Sequence, residues 1–64
     1  MNITLNGEMR RIHAANLADL LVECGFDGRI ATARNGDFVP QTARATTPIL
    51  DGDRIEVVAP MQGG

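Results

Sequence analysis

Apolar and polar residues alternate at the beginning of the chain. The alternating run Ile3–Leu5 meets Asn6-Gly7, the preferred pair for a two-residue type I′ turn, because both central positions of that turn need positive φ. The segment 8–12 is the expected return strand. Its apolar residues Met9 and Ile12 have opposite parity, which predicts a short strand or a bulge. The chain is therefore predicted to open with a β-hairpin.

A helical periodicity follows the hairpin. Between residues 16 and 25, apolar side chains recur at i, i+3, i+4 and i+7, namely at Leu17, Leu20, Leu21 and Cys24. Asn16 is suited to the N-cap, Asp19 to a variant of the capping box, and Gly25 to a left-handed helix end. We expect this helix to lie across a sheet and to supply most of the core, with Cys24 buried as a small apolar residue.

The second half of the chain is predicted to hold two or three strands. Segment 29–34 weakly favours a strand, Asn35-Gly36 repeats the hairpin signal, and Phe38-Val39 precede Pro40, which ends pairing. Residues 41–47 are polar, with room for a short turn of helix, and residues 51–53 form a strong turn. In segment 54–59, Ile55, Val57 and Ala59 share one face while Glu56 and Val58 take the other. The order of elements is that of an α+β fold.

Composition restricts the function before any motif is considered. The chain has 64 residues, 44% of them hydrophobic, which is enough for one small domain but not for a deep catalytic pocket. A net charge of −2, with two Phe and no Tyr or Trp, offers neither a basic patch nor a stacking platform for nucleic acid. All six basic residues are arginine. An enzyme, a nucleic-acid partner and a membrane span are therefore not expected.

Single residues exclude two common ways of stabilising a small domain. One cysteine, Cys24, cannot form an internal disulfide, and one histidine, His13, cannot begin a metal cluster alone. We interpret His13 as solvated or capping, and Asp51 and Asp53 as turn residues rather than metal ligands. No metal site is expected. An unpaired cysteine and the lack of a signal peptide indicate the cytoplasm.

The C-terminal sequence Pro60–Gly64 carries the candidate chemistry. Two final glycines cost conformational entropy and pack nothing, so they are either a functionless end or a slim reactive one. A terminal carboxylate is ionised at neutral pH. By attacking the α-phosphate of ATP it would become an acyl-adenylate, open to sulfur or amine nucleophiles. We therefore predict a folded α+β domain over 1–59 and a flexible reactive tail over 60–64.

The whole chain resembles the ThiS family of sulfur carriers of thiamine (thiazole) biosynthesis, within the β-grasp, ubiquitin-like superfamily. Four segments carry the resemblance: 3–7, 16–24, 51–58 and the closing Met-Gln-Gly-Gly of 61–64. The resemblance implies an α+β β-grasp fold, with a mixed four- to five-stranded sheet packed on one main helix.

The resemblance also implies a protein co-substrate rather than an enzyme. An E1-like adenylyltransferase, using ATP and Mg²⁺, would adenylate Gly64, and a cysteine-derived sulfur donor system would convert it to a thiocarboxylate. Thiazole synthase would then take the sulfur. Gly63 would be the slim neck behind Gly64, and Gln62 and Met61 would enter the partner's active site. The carrier itself would bind no cofactor.

Two alternatives and one docking hypothesis stay open from the sequence. Pro60 is more like the small subunit of molybdopterin synthase, a related sulfur carrier that also ends in Gly-Gly. A ubiquitin-like protein modifier is the other alternative, although a chain without lysine could not itself be extended by lysine linkage. Val58 and Phe38, on the face opposite the core, form with Pro60 and Met61 a predicted docking patch for a partner.

Overall fold

The computed structural model of the chain describes residues 1–59, so the predicted tail 60–64 lies outside the described residues. Five strands, one α-helix and one 3₁₀ helix follow one another within residues 1–59. In order they are β1 (Asn2–Leu5), β2 (Glu8–Arg11), α1 (Leu17–Glu23), β3 (Ala31–Arg34), β4 (Asp37–Val39), the 3₁₀ helix (Gln41–Thr46) and β5 (Arg54–Val58). The short turn of helix expected in 41–47 is confirmed as the 3₁₀ helix.

The strands form one mixed sheet in the order β2-β1-β5-β3-β4. β5 pairs in parallel with β1 and antiparallel with β3, while the two hairpins β1–β2 and β3–β4 are antiparallel. This is the β-grasp arrangement expected, an α+β fold with one main helix. β5, the last of these strands in sequence, is thus the central strand in space.

Both Asn-Gly pairs form the predicted turns. Asn6 and Asn35 have φ of 51° and 52°, and the glycines after them have φ of 84° and 86°, as a type I′ turn requires. The β1–β2 register runs without interruption from Asn2↔Arg11 to Leu5↔Glu8. The irregular alternation of residues 8–12 therefore reflects a short strand rather than a bulge.

Helix α1 begins and ends at the predicted residues. The Asn16 side-chain oxygen accepts a hydrogen bond from the Asp19 backbone N–H at 2.8 Å, and Gly25 is left-handed at φ 78°. The Asp19 carboxylate in turn accepts from the Asn16 side-chain amide at 3.2 Å. The predicted variant of the capping box is thus confirmed, with the side-chain amide of Asn16 as the donor.

The core lies between α1 and the inner face of the sheet. The strands supply five of its buried hydrophobic residues and α1 supplies three, so the expectation that the helix would supply most of the core is wrong. A seven-residue helix presents fewer inward positions than five strands together. Cys24, predicted to be buried, is instead half-buried against the edge of the core, because it lies at the helix C-cap, one residue beyond the end of α1.

Candidate functional site

The outer face of the sheet carries a shallow groove beside the end of β5. Alternation along β5 buries Ile55 and Val57 and leaves Val58 58% exposed. Val58 pairs with Ala31 on β3, and Ala33 pairs with Phe38 on β4. The register therefore places Val58 and Phe38 on the same face, with two alanines of β3 between them.

Small side chains make this surface concave. The groove has a volume of about 220 Å³ and is lined by Ala31, Thr32, Ala33, Phe38, Glu56 and Val58. Phe38 is 69% exposed, which is unusual for a phenylalanine, a residue type that is most often buried. Glu56 is the single charged residue of the lining. The groove can hold an apolar side chain and offer a carboxylate to a neighbouring donor.

A hydrogen-bonded cluster beneath β3 fixes one wall of the groove. The Arg44 guanidinium donates from Nε to the Thr32 hydroxyl at 3.2 Å and from a terminal nitrogen to the Ile30 carbonyl at 2.7 Å. The Thr32 hydroxyl donates to the Val39 carbonyl at 2.8 Å. Arg44 on the 3₁₀ helix therefore holds the start of β3 and the end of β4 together. Sequence reasoning missed this role, because Arg44 stands in a polar stretch without periodicity.

Asp53 anchors the other end of β5. Its carboxylate accepts hydrogen bonds from the Leu50 N–H at 2.9 Å, the Asn35 side-chain amide at 3.0 Å and Arg34 Nε at 2.8 Å. Burial alone would raise the pKa of Asp53, but these donors outweigh it and hold the pKa below its ordinary value. Asp53 is the turn residue predicted, and its contacts also join the β3–β4 turn to β5.

The remaining candidates from the sequence serve the fold. His13 is exposed, and its backbone N–H donates to the Glu23 carboxylate at 2.9 Å. A second bond from the Ala14 N–H at 2.7 Å reaches the same carboxylate. The bonds from His13 and Ala14 lower the pKa of Glu23 against the opposing effect of desolvation. Asp51 accepts from the Asn2 N–H at 2.8 Å.

Two other kinds of site, a metal centre and a membrane span, concern residues 1–59. Within this range no three His, Cys, Asp or Glu side chains come together as a group able to hold a metal ion. None of the helices found there is long and apolar enough to cross a membrane. The predicted site residues Pro60, Met61, Gln62, Gly63 and Gly64 lie outside the described residues, so of the predicted site the structure describes only Val58 and Phe38.

Comparison with known proteins gives one consistent family. Residues 3–64 match the model of the ThiS family. The chain is 36% identical over 63 residues to the sulfur carrier protein ThiS of Thermus thermophilus, covering 97% of this chain and 98% of that protein. It is also 39% identical over 66 residues to a thiazole synthase of Paramagnetospirillum magneticum. The match covers this whole chain but only 20% of the length of that synthase.

Solved structures agree with the sequence matches. The crystal structure of the thiamine biosynthesis protein ThiS from Geobacter metallireducens superposes with a TM-score of 0.87 at 29% identity, covering all of both chains. An NMR solution structure of a thiamine biosynthesis protein from the same organism gives a TM-score of 0.81 at 29% identity. It covers all of this chain and 88% of the other.

Proposed function

This chain belongs to the ThiS family of sulfur carriers of thiamine biosynthesis, and we propose that Gly64 is the residue on which it carries the sulfur. The observation that supports the proposal best is the match to a sulfur carrier protein across 98% of that protein's length. The family match extends to residue 64 and so includes both final glycines. The two alternatives, a molybdopterin synthase subunit and a protein modifier, are not favoured, since the sequence match is to the sulfur carrier protein ThiS and the structural match is to a thiamine biosynthesis protein of the same name.

The proposed chemistry takes place at the carboxyl group of Gly64. One carboxylate oxygen attacks the α-phosphorus of ATP, pyrophosphate leaves, and a mixed anhydride with AMP forms. A hydrosulfide-equivalent nucleophile then attacks the acyl carbon, AMP leaves with the oxygen, and a thiocarboxylate remains. No electrons are exchanged if the donor delivers sulfide. If it delivers a persulfide, a thiol reductant must cleave the resulting acyl disulfide.

The partners supply everything that the chain does not. We propose an E1-like adenylyltransferase that uses ATP and Mg²⁺, a cysteine-derived sulfur donor system, and a thiazole synthase as the sulfur acceptor. The relative named as a thiazole synthase supports the last of these, because a segment of its own length is similar to this whole chain. Gly63 would form the narrow neck, with Gln62 and Met61 in the partner's active site. The free thiol of Cys24 and a thiocarboxylate both suit the reducing cytoplasm.

We propose that the groove beside β5 docks the adenylyltransferase. Val58 and Phe38 are exposed apolar residues on one face, and Val58 is two residues before the predicted tail. A partner bound in the groove therefore lies beside the point from which residues 60–64 leave. An apolar side chain of the enzyme would fill the space over Ala31 and Ala33, with a basic or amide donor facing Glu56. Pro60 and Met61 would extend the contact toward the active site.

Intact-protein mass spectrometry tests the proposed carrier function. The chain is incubated with the adenylyltransferase of its own organism, ATP, Mg²⁺ and a sulfide source. We expect a mass gain equal to the replacement of one oxygen by sulfur, and fragmentation should place it on Gly64. A chain without Gly64 is the control and should stay unmodified. If the full chain also stays unmodified while the enzyme forms the adenylate of another carrier, the proposal is wrong.

A further inference from the structure

The central strand loses one of its two neighbours before it ends. On the β3 side, pairing of β5 continues to Val58, which pairs with Ala31. On the β1 side, the parallel register contains only Thr4↔Arg54 and Leu5↔Ile55, and the main chain then leaves the sheet in the Asn6-Gly7 turn. The last backbone bond on this side runs from the Asn6 N–H to the Ile55 carbonyl at 2.9 Å. Val57 therefore has no β1 residue opposite it.

The Asn6 side chain occupies the place of the missing strand residue. Its oxygen accepts from the Val57 N–H at 2.8 Å, and its amide nitrogen donates to the Val57 carbonyl at 3.0 Å. One side chain thus satisfies both polar groups of a single backbone residue, 51 positions away in sequence. A primary amide presents an N–H donor and a C=O acceptor side by side, and so it matches the N–H and C=O that a single strand residue presents on one side. The left-handed turn and this two-point bond come from the same residue.

We propose that Asn6 is a positioning residue for the loading of Gly64. The inference rests on the proposed function and concerns which part of the domain directs the tail. From Val57 to Gly64 the chain spans seven residues, about 23–25 Å if extended. Once the partner's active site holds this segment extended, a rotation of about 10° at Val57 corresponds to a displacement of about 4 Å at its end, and misplacement of 1 Å can cost about 100-fold in rate. Asn6 is the contact that holds this pivot on the side where β1 has ended.

Asn35 provides a matched control in the same protein. It occupies the equivalent position of the second Asn-Gly turn, with φ 52°, and its side-chain oxygen accepts from the Arg54 N–H at 2.8 Å. Its amide nitrogen donates to Asp53 at 3.0 Å. Both asparagines therefore hold β5 by its backbone, but Asn35 binds where the strand begins and Asn6 binds one residue before it ends. Loss of the side-chain hydrogen bonds of either asparagine weakens the sheet. Only loss of those of Asn6 frees the end of β5 that is nearest the predicted tail.

The experiment compares Asn6→Gly with Asn35→Gly in the full chain. Glycine keeps the left-handed turn conformation and removes only the side-chain bonds. With the adenylyltransferase saturated in ATP and Mg²⁺, the initial rate of pyrophosphate release over a range of carrier concentrations gives kcat and KM for the carrier. The temperature is one at which circular dichroism shows every variant folded. We expect Asn6→Gly to lower kcat roughly tenfold with KM nearly unchanged, because docking in the groove is preserved. Asn35→Gly should keep kcat within about twofold of the unchanged chain.

Amide hydrogen exchange supplies a readout of the bond itself. Asn6→Gly should speed exchange at Val57 and leave Arg54 protected, and Asn35→Gly should do the reverse. Asn6→Asp serves if Asn6→Gly does not fold. Aspartate tolerates positive φ and keeps the acceptor for the Val57 N–H but loses the donor to the Val57 carbonyl, so its kcat should fall below that of Asn35→Gly.

Each result has a defined meaning. Equal kcat for Asn6→Gly and Asn35→Gly, or a change confined to KM, would overturn the positioning role while leaving the carrier function intact. Failure of the unchanged chain to be adenylated would overturn the proposed function instead.

Discussion

Replacement of Asp53 by alanine tests how the start of the central strand is held. Asp53 is 7% exposed and accepts hydrogen bonds from three donors on two different segments. Alanine removes the acceptor from all three at once. It leaves the Leu50 N–H and the Asn35 amide without the partner they have in the folded state. The salt bridge between Asp53 and Arg34 is also lost.

The structure gives the magnitude of the loss. The bond from the Leu50 N–H to a buried carboxylate is worth about 1.5–2 kcal/mol, and that from Asn35 about 1 kcal/mol. The Arg34 side chain is 27% exposed, so solvent screening reduces its share to about 0.5 kcal/mol. The sum is about 3 kcal/mol. A chain of 64 residues has a free energy of unfolding of about 3–10 kcal/mol, so Asp53→Ala should remove from about a third to all of that stability.

Urea unfolding at pH 7 measures this loss, with Asp51→Ala as the control. Asp51 lies in the same turn but is exposed and accepts one bond, from the Asn2 N–H. Its removal should cost about 0.5–1 kcal/mol. At a slope of about 1 kcal/mol per molar urea, the Asp53→Ala midpoint should fall by roughly 3 M. If the two aspartates cost the same, the cluster around Asp53 does not hold β5 as described.

The same carboxylate makes stability depend on pH. The pKa of Asp53 is lower in the folded state, so the unfolded state takes up the proton first as the pH falls. Its contribution is fully present above the unfolded pKa of about 3.9 and is lost as the pH falls through the lower folded pKa. Asp53→Asn should remove this part of the slope below about pH 4, while Glu23, whose pKa is also lowered, keeps a residual slope.

Three further substitutions test the docking groove, the loop anchor and the core. Val58→Asp should raise KM for adenylation without changing the urea midpoint, whereas Met9→Asp, at a more exposed apolar position on β2, should leave KM unchanged. Equal effects of the two substitutions on KM would remove the groove from the interface. Glu23→Gln should lower the urea midpoint at pH 7. The difference in midpoint between the two proteins should shrink at acid pH, because the Glu23 carboxylate of the unchanged chain takes up a proton. A difference that stays constant with pH would contradict the role of the ionised carboxylate as acceptor for the His13 and Ala14 N–H groups. Leu20→Ala, at a fully buried position, should cost about 2–5 kcal/mol by thermal or urea unfolding, while Val22→Ala, 79% exposed, should be nearly neutral.

Local rules predicted the elements, because their signals are local. The Asn-Gly turns, the N-cap at Asn16 and the alternation of β5 each follow from residues within a few positions of one another. The alternation of residues along the strands predicts that Val58 and Phe38 lie on one face of the sheet. The register across β3 brings both of them to one groove. Their role in docking stays a prediction.

What sequence reasoning missed is long-range. The bonds of Arg44 to Thr32 and Ile30 join the 3₁₀ helix to β3, and those of Asn6 to Val57 join the first turn to the last strand. No periodicity marks such partners, since a polar side chain in a turn or connection looks the same in sequence whether it meets solvent or backbone. Asn6 illustrates the difficulty: its turn conformation is predictable from Gly7, but its second partner depends on where β1 stops relative to β5.

The position of β5 explains why the proposed loading of the tail would need a folded domain. β5 is the central strand, it is held at its start by Asn35 and Asp53 and near its end by Asn6, and the predicted tail follows it directly. Because β5 is fixed at both ends, the tail that carries the proposed reacting carboxyl group starts from a defined position, its origin, relative to the groove where the enzyme would dock. A short peptide ending in the same residues would keep the chemistry but lose that origin, so it should be adenylated with a much higher KM and a lower kcat than the whole domain.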